Sequence, residues 1–164
     1  MQTKSDRILL IVFLSLSAAF FGFVRLFTFA YKTGGPVSGN GNPGLLIAFP
    51  ALVFYSVTLF YIYKAGRYFF RFGNRRVASR YPLVLFFPLA VCGYGEFRFA
   101  RSLLRHLGGG PGDPDSVIYR WPLLNQYTNT MFLNAYTFIG GILIALLIGC
   151  CVEGSRRVWP LFPE

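Results

Sequence analysis

Apolar positions in this chain gather into long unbroken runs, with neither the alternation of a half-buried strand nor the one-sided stripe of a soluble helix. A membrane-spanning helix needs about 20 such residues, because it rises about 1.5 Å per residue across a hydrocarbon core of roughly 30 Å. Three runs meet that length: Ile8–Ala30 with the single charge Arg25, and Gly44–Tyr63 and Thr130–Val152 with none. A further run, Tyr81–Gly95, holds 15 uncharged residues before Glu96, Arg98 and Arg101 interrupt it. That is short for a span, but FRFARSLLRHL continues with helical spacing. Phe97, Ala100, Leu104 and Leu107 share one face, while Arg98, Arg101 and Arg105 recur on another. The pattern predicts one helix from Tyr81 to Leu107 whose last turns leave the hydrocarbon, with the arginines reaching the headgroups. Pro50 and Pro88 lie inside their helices as expected kinks.

The expected fold is therefore all-α, a single transmembrane domain over residues 1–164 with helices at about 8–30, 44–63, 81–107 and 130–152. Composition agrees. Hydrophobic residues make up 54% and charged residues 13%, against about 25% charged in a soluble domain. Too few polar side chains exist to cover a soluble surface, and the chain is too apolar to be disordered. Lys4 and Arg7 before the first run, and Thr28-Phe29-Ala30 at its end, imitate a secretory signal. Its apolar stretch exceeds the about 7–15 residues of a signal core, so a permanent helix is expected.

Charge adds an orientation. With four helices, the N-terminus, the loop after the second helix and the C-terminus share one side, which carries 10 of the 16 basic residues. The positive-inside rule then places both termini in the cytoplasm. The inner loop KAGRYFFRFGNRRVASR supplies Lys64, Arg67, Arg71, Arg75, Arg76 and Arg80, interleaved with Tyr68, Phe69, Phe70 and Phe72. Basic and aromatic residues together are able to bind nucleic acid. A juxtamembrane basic stretch is more simply a contact for anionic headgroups, at about 1 kcal/mol per charge, and no nucleic-acid partner is expected. The strong charge bias and the lack of an N-x-S/T sequon suit a bacterial inner membrane.

Candidate chemistry centres on two residues. Glu96 is the only acid within a span, and Arg25 is similarly isolated on its own helix. Counted from the cytoplasmic ends, both fall at similar depth in the outer half of the bilayer. An unpaired charge there costs about 2.5–3.5 kcal/mol on insertion scales. One expectation is a buried Arg25–Glu96 ion pair that fixes helix register. The other is a transport or proton site, with Arg98, Arg101 and Arg105 drawing an anion or headgroup toward it.

Other chemistries lack their groups. Cys92, Cys150 and Cys151 form no C-x-x-C, which removes the likeness in size and helix count to the four-helix quinone reductases that generate disulfides. His106 is the single histidine, so neither a bis-His haem nor a zinc site is expected. Asp113 and Asp115 read as turn formers, and Ser15, Ser17 and Ser56 have no base. Packing signals are clearer. Gly141, Ala145 and Gly149 stand four apart, as do Ala18 and Gly22, and Asn134 offers a hydrogen bond between helices. In the outer loop, Ile118, Trp121, Leu123 and Leu124 suggest a segment at headgroup level. The leading expectation is a non-enzymatic membrane subunit or accessory factor without cofactor or metal, with a protein partner in the membrane. The alternatives are a small anion- or proton-coupled carrier, and an enzyme acting on lipid or quinone.

Overall fold

The protein is described by a computed structural model covering residues 3–32, 41–72 and 81–158. Its helices are α1 (Lys4–Leu26), α2 (Gly44–Phe72), α3 (Tyr81–His106), the single turn α4 (Asn129–Phe132) and α5 (Ala135–Val158), with no strand among the described residues. Four segments are long and apolar enough to cross a membrane: α1, α2, α3 and α4 together with α5.

The helix ends follow local chemistry more than hydropathy. α1 starts at Lys4, ahead of the expected Ile8, because Thr3 and Asp6 form a reciprocal capping box that satisfies two backbone donors of the first turn. It stops at Leu26 instead of Ala30, and the Phe29 N–H then donates to the Gln126 carbonyl at 2.8 Å. α2 continues beyond Tyr63 to Phe72. Its basic end is held from two sides: Lys64 Nζ lies 2.8 Å from Asp6 Oδ1, and Arg67 Nη2 lies 3.4 Å from Glu153 Oε2. α3 runs as expected, ending at His106. The last span is broken at Leu133–Asn134. There Asn134 Oδ1 accepts from the N–H groups of Tyr136 at 2.7 Å and Thr137 at 3.2 Å, while Thr137 Oγ1 accepts from Asn134 N–H at 3.0 Å. This is an N-cap, and a fresh helix begins after it.

Packing runs α1 on α2, α2 on α5 and α5 on α3, whereas α1 and α3 share no packed face. The bundle is an open row. Start of α1, end of α2 and end of α5 meet through the two ion pairs, so the helices alternate in direction and these chain segments share one end. The α1–α2 seam holds a buried hydroxyl pair, Ser17 and Thr58, with oxygens 2.9 Å apart.

The α2–α5 seam depends on small residues. A β-carbon at Gly141 would run into the Tyr55 hydroxyl, and one at Gly149 would lie 3.0 Å from the Tyr63 carbonyl oxygen. Ala145 between them is buried. Gly141, Ala145 and Gly149 therefore close the chain's own bundle by letting α2 approach the α5 backbone. Tyr55 then turns its hydroxyl to the Phe138 carbonyl at 2.6 Å, and its ring joins Phe21, Val24, Ala48, Ala51 and Leu133 in the main core.

At the opposite end the loop between α3 and α4 folds on itself. Leu107, Ile118 and Tyr127 form a second buried cluster against Tyr31 and Trp121. Ile118 is fully buried, while Leu123 and Leu124 are exposed. Asp113 accepts the Gly110 N–H at 2.5 Å, as a turn former does. Asn42 and Asn129 exchange amide hydrogen bonds at 2.8 and 2.7 Å, tying the start of α2 to α4.

Candidate functional site

The gap between α1 and α3 is a cleft of about 730 Å³, floored by the start of α5 and closed at the loop end by Tyr127 and Phe29. Its walls are mostly apolar: Phe21 and Gly22 from α1, Phe99 and Leu103 from α3, Phe138 and Ile139 from α5. Arg25, in the last turn of α1, is the one charged side chain among the described residues that line it. Asn134 also reaches this space.

Arg25 and Asn134 line the same cleft and Glu96 is bonded to Asn134, but no ion pair joins Arg25 and Glu96. Glu96 Oε2 accepts from Asn134 Nδ2 at 2.6 Å. The same amide nitrogen donates to the Thr130 carbonyl at 2.9 Å. Asn134 thus links the end of α4, the first turn of α5 and the α3 carboxylate. Glu96 also faces the N-terminal end of α5, where the aligned peptide dipoles favour a negative charge. The physical reason for the correction is that an amide and a helix start already satisfy the carboxylate. Arg25, exposed, makes no hydrogen bond or ion pair among the described residues.

The three arginines expected to join this site are elsewhere. Phe99 and Leu103 point α3 into the cleft, and Arg98, Arg101 and Arg105 stand roughly 120–180° around the helix from that edge. All three are exposed. Arg98 Nη1 lies 3.5 Å from the Tyr94 hydroxyl, and Arg105 Nε donates to the Arg101 carbonyl at 3.4 Å. The fold therefore separates a cleft cation from an outward basic stripe.

At the ion-paired end, Lys64 and Arg67 are held by Asp6 and Glu153. Arg71 is exposed, with its guanidinium 5.8 Å from the Phe72 ring. The positions of Arg75, Arg76 and Arg80 lie outside the described residues. No group of three or more His, Cys, Asp or Glu side chains forms among the described residues. His106 Nε2 meets the Tyr31 carbonyl at 3.0 Å; Cys92 and Cys150 are buried and Cys151 is exposed.

The cleft itself was not legible from the sequence, because spacing along a helix does not say which two helices stay apart. One signal was present. Ala18 and Gly22 form a small-residue stripe on α1, and both line the cleft instead of a helix seam. Comparison of the chain with protein-family models, with curated proteins and with solved structures returns no match.

Proposed function

We propose that this chain is a non-enzymatic integral membrane subunit or accessory factor of a larger membrane assembly, oriented with both termini in the cytoplasm. The observation that carries this reading is the position of α3. It packs on α5 at the edge of the row, Cys92 is its one buried residue, and its apolar side chains Leu83, Val84, Phe86, Phe87 and Val91 stand more than half exposed. Such an edge helix presents a long surface to lipid or to another membrane protein.

Polar groups inside the spans support the same reading, since they are engaged in joining helices: Ser17 with Thr58, Tyr55 with Phe138, Glu96 with Asn134. A carrier built on Arg25, Glu96, Arg98 and Arg101 would need them along one path, and Arg98 and Arg101 face away from the cleft. The basic sequence around Arg71, Arg75, Arg76 and Arg80 supports a contact with anionic headgroups. A bacterial inner membrane fits the charge bias.

Purification in mild detergent tests the proposal. A partner protein is expected to co-elute at fixed stoichiometry and to be lost when Phe86 and Phe87 are both changed to Ala, with the chain's own helix content unchanged. A chain that elutes alone and performs a chemical or transport reaction overturns it.

A further inference from the structure

The cleft carries an inference that is independent of any assembly. Its walls are apolar, and its single cation has no partner among the described residues, because the carboxylate of Glu96 is taken by Asn134. A free cation beside an apolar wall in a membrane calls for an anion with an apolar body. The volume of about 730 Å³ falls within the roughly 300–1,000 Å³ of small-molecule sites. A helix about 10–12 Å across would exhaust that space in about one and a half turns, so a flexible chain fits it better than a neighbouring helix does. Gly22 widens the passage, for a β-carbon there would meet no atom within 4 Å.

We propose that the cleft between α1 and α3 binds one anionic phospholipid, with its phosphate on the Arg25 guanidinium and an acyl chain along Gly22, Phe99 and Ile139. Arginine suits the task because its planar fork donates two hydrogen bonds to phosphate oxygens. Arg25 lies in the last helical turn, where phosphate groups of that leaflet are within reach of a snorkelling side chain.

The test uses the full chain in a neutral detergent, with bound lipid counted by native mass spectrometry after addition of phosphatidylglycerol or phosphatidylcholine of equal chain length. Phosphatidylglycerol is expected to be retained in preference. Arg25→Gln is expected to weaken that retention about tenfold, the loss of a charge-assisted pair. Arg25→Lys, which keeps the charge, retains most of it. Gly22→Leu, whose β-carbon meets no atom within 4 Å and whose side chain extends into the acyl passage, weakens retention with helix content unchanged, whereas the exposed Lys32→Gln does not. Equal retention by Arg25→Gln and the parent chain overturns the proposal. So does equal binding of glycerophosphoglycerol lacking acyl chains, and so does a co-purifying protein displaced by Gly22→Leu while phosphatidylglycerol stays bound.

Discussion

Asn134 holds the carboxylate of Glu96 at 2.6 Å while its side-chain oxygen caps the first turn of α5. One amide thus carries two duties that belong to different helices. It ends the last span's first turn, starts its main helix, and supplies the hydrogen bond that makes a lone carboxylate tolerable at that depth.

Because the carboxylate depends on Asn134 and not on Arg25, substitutions at the three positions separate cleanly. Asn134→Ala removes a cap, worth about 0.5–2 kcal/mol, and strands a half-buried acceptor at about 1–3 kcal/mol. The expected sum is about 1.5–5 kcal/mol. Glu96→Gln keeps a carbonyl for the same donor and is expected to cost under about 1 kcal/mol. Arg25→Leu combined with Glu96→Gln should be additive within about 0.5 kcal/mol. Thermal unfolding in detergent of the single and double variants measures these values; a strong Arg25–Glu96 coupling would contradict the geometry.

Glycines on α5 and on α1 should respond in opposite directions. At Gly141 a methyl meets the Tyr55 hydroxyl, and at Gly149 it meets the α2 backbone, so alanine at either is expected to destabilise by about 1–3 kcal/mol through overpacking. Tyr55→Phe removes the colliding oxygen, and its combination with Gly141→Ala should cost less than the two separately. At Gly22 nothing lies within 4 Å of the added methyl. Gly22→Ala is expected to be neutral, or stabilising by up to about 1 kcal/mol through helix propensity. Melting temperatures of these five variants decide it.

The four spans were legible because each is a run of apolar residues, and hydropathy responds to length. Other features depend on information that hydropathy does not carry. The run ending at Tyr63 marks where charges begin, yet the α2 backbone stays helical to Phe72, because Asp6 and Glu153 come from other helices to meet its cations. Counting residues assigns Arg25 and Glu96 a similar depth, but depth leaves the direction around the helix axis undetermined. Asn134 with Thr137 three residues on is a capping pattern readable in the sequence. Inside a long apolar run it passes for an interhelical hydrogen bonder, and it turns out to be both. Ile118 is another such case: the apolar character of a residue in a loop rich in Gly and Pro does not say that the loop is long enough to bury it in a small core of its own.

The Ser17–Thr58 contact predicts a modest coupling between α1 and α2. Each hydroxyl has one proton and a carbonyl of its own helix within reach, Phe13 at 2.7 Å from Ser17 and Phe54 at 3.0 Å from Thr58, so one of the two donates to its carbonyl while the other donates across the seam. Each therefore keeps a partner when the other is removed. Ser17→Ala and Thr58→Val together should show a coupling near 0.6 kcal/mol, with about 1.7 as the ceiling. A double-mutant cycle read by unfolding in mixed micelles gives the number.

The two ion pairs at the other end should differ in strength and in response to salt. The Lys64 side chain is 48% exposed and the Arg67 side chain 29%, while Glu153 is 9% exposed and Asp6 12%. Asp6 also has Thr3, whose N–H donates to it at 3.1 Å, so Lys64→Gln leaves that carboxylate a donor. The expected cost is about 0–1 kcal/mol, as for exposed pairs. Glu153 is held by Arg67 through two donors, Nε and Nη2, each at 3.4 Å. Arg67→Gln removes both and leaves a buried carboxylate facing the end of α2, so a larger loss of about 1–3 kcal/mol is expected. Raising salt from about 0.05 M to 1 M should shrink the Lys64 effect through screening and leave most of the Arg67 effect in place. Unfolding of both variants at the two salt concentrations tests this, and equal losses with equal salt dependence would mean that the Arg67–Glu153 contact is a surface pair.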